Sequence, residues 1–218
     1  MYLLKFDLKD EKVQYLVKSD EKLGKLLKYI RTSELTIEKN GFQCLVKYII
    51  GQQISDKARE TIWQRLCVTL GDVMPDIILS TEISELRSLG LSGRKAEYIK
   101  SLAVSASEKV IDFEEYRVLS NKEIIDKLTE LKGIGQWTAE MYLIFSLGRE
   151  NVLSKQDRTI RRAIQWMYNL ESIPSAEELT EYFSNWIKNA TIVSSYLWKA
   201  IALGLTRKSF DEIVVDVK

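Results

Sequence analysis

Apolar residues fall at Phe42, Leu45, Val46, Ile49 and Ile50, spaced i, i+3, i+4, i+7, i+8. That repeat predicts an amphipathic helix with one buried stripe. A second helix is predicted through Ala58, Ile62, Trp63, Leu66 and Leu70, stopped by Gly71. Between them, Gly51-Gln52-Gln53-Ile54-Ser55 fits either a tight junction or continuous helix. Ser120-Asn121-Lys122-Glu123 has the capping-box pattern and opens a helix with Ile124, Ile125, Leu128 and Leu131 on one side. Ser175-Ala176-Glu177-Glu178, just after Pro174, repeats that signature ahead of Leu179, Phe183, Trp186 and Ile187. Strand-like alternation is confined to short pieces at residues 2–6 and 213–217. With only two prolines and 10 glycines to interrupt it, the chain is predicted to be all-α or nearly so.

Leu131-Lys132-Gly133-Ile134-Gly135 separates the helix ending near Leu131 from one starting near Gln136. The second of these puts Trp137, Met141, Ile144 and Phe145 on one stripe and ends near Gly148. Glycines allow the sharp turn. Amides at the start of the following helix, together with its dipole, then suit a phosphate. Such a hairpin grips a nucleic-acid backbone without reading its sequence. An ordinary helix–helix turn accounts for a bare Gly-x-Gly equally well, so these residues alone leave both readings open.

Length and composition narrow the classes. A chain of 218 residues favours one large domain or two intimate lobes. Hydrophobic residues at 45% and charged residues at 29% are ordinary for a folded soluble domain. No run approaches the roughly eighteen apolar residues of a membrane helix. The N-terminus carries Asp7 and Asp10 without an apolar signal core, so a cytoplasmic location is expected. Two cysteines, Cys44 and Cys67, are too few for a disulfide framework or a four-thiolate metal site. The sequence contains no histidine. That removes serine–histidine and cysteine–histidine catalysis and the usual zinc sites. Any chemistry must rest on carboxylates, Lys, Tyr or a cofactor.

The hairpin Leu131-Lys132-Gly133-Ile134-Gly135-Gln136-Trp137-Thr138-Ala139, an apolar helix, and then Val152-Leu153-Ser154-Lys155-Gln156-Asp157 together resemble the helix-hairpin-helix DNA glycosylase superfamily. The likeness is greatest to its 3-methyladenine DNA glycosylase II group. Asp157 lies 24 residues beyond Gly133, the spacing at which that family carries its catalytic aspartate. Gly51-Gln52-Gln53-Ile54-Ser55, Gly90-Leu91-Ser92-Gly93-Arg94-Lys95-Ala96 and Tyr196-Leu197-Trp198 add to the match, which runs from Phe42 to Gly204. Three departures stand out. The chain begins too close to the matched region to hold the N-terminal β-rich domain of one bacterial member. Met141 stands where some members carry an aromatic. Trp137 occupies the position of the Schiff-base lysine of bifunctional relatives, so no strand-cutting lyase activity is expected.

The resemblance implies a two-lobed, all-helical fold with the active site in a cleft between the lobes. One lobe would combine residues 1–71 and 165–218, and the other would hold 72–164. It implies excision of alkylated purines of the 3-methyladenine and 7-methylguanine type from duplex DNA by a monomer that needs no cofactor. Asp157 would be catalytic, although it also fits a helix N-cap ahead of Ile160 and Ile164. Trp137, Trp198, Met141 and Tyr142, with Tyr196 as a weaker candidate, would form the base pocket. Trp63, Trp166 and Trp186 are read as core filler. DNA contacts are expected at Gly133, Gly135, Gln53, Ser55, Met74 and Arg161. Met74 is the wedge that fills the vacated stack, or else a buried anchor. Lys155, Arg158, Arg162, Arg94 and Lys95 would line a basic groove. The carbonyls of Thr129, Leu131 and Gly133 would hold Na+ or K+. A non-catalytic DNA-binding module, or a glycosylase for deaminated or oxidised bases, stands as the alternative.

Overall fold

The computed structural model describes residues 1–215. In chain order the elements are β1 (Tyr2–Asp7), α1 (Glu11–Ser19), α2 (Glu21–Ile30), β2 (Thr32–Ile37), α3 (Gly41–Gly51), α4 (Asp56–Leu70), α5 (Pro75–Ser80), α6 (Ile83–Ser88), α7 (Gly93–Ser107), α8 (Asn121–Thr129), α9 (Gln136–Phe145), α10 (Arg158–Tyr168), α11 (Ala176–Tyr182), α12 (Ala190–Ala202) and α13 (Phe210–Val214). Helices dominate, as the periodicity predicted.

Two compact units emerge: residues 1–37 with 148–218, and the continuous stretch 38–147. These cuts differ from the sequence-based boundaries at 71/72 and 164/165. Helix α3 packs on α4, α7 and α9, so residues 41–51 fold with the hairpin rather than with the chain termini. Asp157 falls in the other unit, where α10 packs on α12.

In the first unit β1 and β2 pair antiparallel, from Tyr2 opposite Ile37 to Asp7 opposite Thr32. Ser33, Leu35 and Ile37 alternate inward, and Phe6 joins them in the core. Helix α12 packs on β2, α2 and α10. It is buried on nearly every face, which suits its run of Ile192, Val193, Tyr196 and Leu197. The strand expected at residues 213–217 is helix through Val214, because Ser209 and Glu212 form a capping box that starts α13. Residues 216 and 217 of that expectation lie outside the described residues.

In the second unit Asn40 caps α3, and all five predicted stripe residues are buried. Gly71, at φ 70°, closes α4. The segment between α3 and α4 is a turn, with Gln53 at φ 59° and Ser55 capping α4. The capping boxes at Ser120 and Ser175 both form. Helix α11 ends at Tyr182, so Ile187 lies beyond it and is exposed.

Candidate active site

Helix α8 ends at Thr129 and α9 begins at Gln136, with the hairpin between them. Gly133 has φ 85°, a left-handed conformation that side chains disfavour. A Cβ there would lie 2.1 Å from the Tyr98 ring. Ile134 is buried and anchors the turn. Gly135 differs from its neighbour. Its φ is −95° and α9 receives no side-chain cap from it. A Cβ on Gly135 would meet nothing within 4 Å, so it leaves open space at the helix start rather than permitting a strained turn.

Gln52, which the sequence did not single out as a functional residue, reaches this hairpin. Its Nε2 donates to the Gly133 carbonyl at 2.9 Å and to Thr138 Oγ1 at 3.0 Å. Lys95 was expected in a basic groove, but its Nζ donates to the carbonyls of Ile50 (2.8 Å) and Gln52 (2.7 Å). Burial lowers its pKa. Arg94 is exposed. Of the three carbonyls considered for a cation, Leu131 accepts from Ile134 N–H and Gly133 accepts from Gln52. Each carbonyl has two lone pairs, so neutral dipoles of this kind still fit a monovalent ion.

Trp137 is half-buried on α9, edge-on to Tyr48 with ring centroids 5.9 Å apart. Met141 is buried. Tyr142 is buried against Tyr116 and Phe113, and burial pushes both tyrosine pKa values up, that of Tyr116 to about 12. These contacts make Tyr142 part of a core cluster within its unit. Tyr196 is also core, its hydroxyl donating to the Phe6 carbonyl at 3.0 Å. Trp198 is half-buried on α12. Of the tryptophans read as filler, Trp186 is buried. Trp63 and Trp166 are half-buried; Lys47 lies over Trp63 and Trp166 Nε1 donates to the Lys208 carbonyl.

Asp157 is 8% exposed and caps α10. Its Oδ1 accepts from the amides of Thr159 (2.8 Å) and Ile160 (3.1 Å), which fixes the carboxylate against the helix start. The loop leading to it is anchored by Thr191, in the first turn of α12. Thr191 Oγ1 donates to the Arg149 carbonyl (2.8 Å) and accepts from Val152 N–H (3.2 Å). Its own N–H donates to the Glu150 carbonyl. The sequence did not single it out, since Ser194 and Ser195 put further hydroxyls in the same helix. Lys155, Arg158 and Arg162 are exposed, whereas Arg161 is half-buried and donates Nε to the Pro174 carbonyl at 2.6 Å. Met74 is 37% exposed at the start of α5, where Asn40 Nδ2 donates to its sulfur at 3.1 Å. It is therefore not the buried anchor that was the alternative to a wedge. Gln53 and Ser55 are exposed. A surface cavity of about 480 Å³ in the first unit is lined by Glu171, Glu178 and Glu181. It has the wrong sign for phosphate and contains none of the candidate residues.

Comparison with known proteins puts this geometry in context. DNA-3-methyladenine glycosylase 1 of Schizosaccharomyces pombe is 32% identical over 187 residues, covering 84% of this chain and 82% of that protein. The crystal structure of a DNA-3-methyladenine glycosidase from Bacillus halodurans superposes with a TM-score of 0.82 at 32% identity, covering 97% of this chain and 99% of that one. The S. pombe 3-methyladenine DNA glycosylase solved in complex with abasic DNA gives a TM-score of 0.84 at 30% identity, over 88% and 97% of the two chains. The HhH-GPD superfamily base excision DNA repair model matches residues 46–189. That span takes in the turn at Gln52, the Gly133 hairpin and the Asp157 cap, and the chain belongs to the HhH-GPD superfamily of base excision DNA repair proteins.

Proposed function

We propose that this protein is a monofunctional DNA glycosylase that flips alkylated purines out of duplex DNA and releases them hydrolytically. The observation that carries this reading is Asp157, held by the first amides of α10 at the family spacing from the hairpin. The named activity of the relatives and the abasic DNA bound to one of them support the substrate class.

Breaking the N-glycosidic bond sends the bonding electrons out with the base and leaves an oxocarbenium-like sugar. The Asp157 carboxylate stabilises that cation and orients water, whose oxygen bonds to the sugar carbon as its proton passes to bulk solvent. A 3-methyladenine-type base is already cationic and leaves neutral, so no general acid is needed. This chemistry is open to a chain without histidine.

Trp137 and Trp198 select a cationic base through their ring faces, at roughly 0.5–2 kcal/mol per contact. Met141, one turn after Trp137 on α9, contributes an apolar surface on that helix. Flipping costs about a few kcal/mol, and Met74 fills the vacated stack. Gly135 lets a phosphate approach the start of α9, and the exposed Gln53 and Ser55 flank the same strand. A monovalent cation on the carbonyls of Thr129, Leu131 and Gly133 would add positive charge beneath that phosphate. With Trp137 at the lysine position, the reading includes no lyase step.

The test is incubation with methylated duplex DNA, with released bases resolved by chromatography. Free 3-methyladenine with an otherwise intact strand is expected. Release of no base from methylated, deaminated or oxidised DNA would leave a DNA-binding module instead. Borohydride trapping of a covalent adduct in high yield would overturn the monofunctional assignment.

A further inference from the structure

We infer that Lys95 and Gln52 are positioning residues that set the DNA-gripping hairpin from the far side of the α3–α4 turn; this rests on the reading of the hairpin as a phosphate site. Helix α3 ends at Gly51 and the chain turns through Gln53 in the left-handed region (φ 59°), a conformation a non-glycine residue holds only when its surroundings enforce it. The turn is a type II β-turn, closed by Ile54 N–H donating to the Gly51 carbonyl at 3.3 Å, and it is braced from outside by Lys95. Its ammonium accepts no hydrogen bond and donates to the carbonyls of Ile50 and Gln52. These groups lie at the negative end of the α3 dipole, where a cation is favoured. Holding the Gln52 carbonyl steadies the peptide that leads into Gln53.

The same backbone segment projects the Gln52 side chain onto the Gly133 carbonyl and Thr138 Oγ1. One amide group thus ties the middle of the hairpin to the first turn of α9. Thr138 is buried, and the two bonds are part-buried. Three residues after Lys95 on α7, Tyr98 lays its ring against Gly133. The first turns of α7 therefore hold the hairpin twice, directly through Tyr98 and indirectly through Lys95 and Gln52. This gives the Ser92-Gly93-Arg94-Lys95-Ala96 segment a role that needs no contact between Lys95 and DNA.

The experiment measures the affinity of Lys95→Met, Gln52→Leu and their double variant for a duplex carrying a tetrahydrofuran abasic analogue, beside circular dichroism and thermal melting. A charged donor at Lys95 and a pair of neutral bonds at Gln52 are each worth enough that each single variant should bind about tenfold more weakly. The double variant should be no worse than Lys95→Met alone, because both act through one link. Lys95→Arg, which keeps the charge and the donors, should recover most of the affinity. In single-turnover base release the loss should appear as a higher half-saturating enzyme concentration, with the saturated rate nearly unchanged.

If Lys95→Met melts far below the parent, Gln52→Leu alone decides, since it leaves the Lys95 bonds to the α3 carbonyls in place. Gly135→Glu separates the two levels of the argument. It has room to fold and puts a carboxylate at the phosphate position. Unchanged affinity in Gly135→Glu overturns the phosphate reading itself. Weakened binding there, with parental affinity in Lys95→Met and Gln52→Leu, overturns the positioning role alone. Additive losses in the double variant also overturn the single link.

Discussion

Helices α9 and α10 face the same physical problem at their first turns and solve it differently. Each opens with backbone amides that have no partner within the helix. At α10 the chain supplies its own acceptor: Asp157 takes two of those amides on one oxygen. At α9 the residue in the same place is Gly135, which brings no side chain to the cap. The first arrangement spends the helix start on holding a carboxylate still. The second leaves the helix start open, where the proposed phosphate contact would fall. A short third helix, α5, also opens without a side-chain cap, on Met74, and offers an apolar group where the others offer charge or open space.

The sharpest way to break this contrast is at Asp157. Asn is itself a good N-cap, so Asp157→Asn should melt near the parent while single-turnover base release falls by about 10²–10³-fold, the scale of losing one preorganised electrostatic stabiliser. Release within a few-fold of the parent would show that the carboxylate is only a cap. Next in size is Gly133→Ala, which forces a methyl into the Tyr98 ring at positive φ. It should destabilise the protein by about 1–3 kcal/mol, read by chemical denaturation.

Gly135→Ala should cost far less stability than Gly133→Ala, because its backbone is unstrained for alanine and only the poorer N-cap counts against it, while duplex affinity falls. If both glycine variants destabilise alike, the distinction between a strained turn and a cleared approach is wrong. The smallest stability change belongs to Met74→Ala, which should stay within about 0.5 kcal/mol of the parent yet slow excision. Reduced 2-aminopurine fluorescence in the DNA complex would report the lost wedge. A drop of several kcal/mol with normal base flipping would assign Met74 to the loop instead.

Much of the helical frame was legible because its signals are local. The α3 stripe, the Gly71 stop and the boxes at Ser120 and Ser175 depend on neighbours within eight residues, and all four appear. The Ser209–Glu212 box was equally visible, but the β-branched run after it suggested a strand. β2 was missed although Ser33, Leu35 and Ile37 alternate, since a single six-residue strand gains its stability only from pairing with β1. The division of the chain into units was not legible, because it depends on which helices pack together across long sequence separations. The same blindness affected single residues. Lys95 reads as surface charge until the α3 carbonyls are placed beside it, and Tyr142 reads as a pocket wall until Tyr116 and Phe113 close around it.

The interrupted unit has a consequence for how the protein is made. Residues 38–147 form one continuous unit and can close as soon as they leave the ribosome. The strand pair and the first two helices emerge earlier, but α12, which packs on β2 and α2, is complete only at residue 202. For most of translation those first 37 residues therefore wait with their apolar faces uncovered. The Lys and Glu on α1 and α2 put charge on that segment during the interval in which exposed apolar surface is open to aggregation.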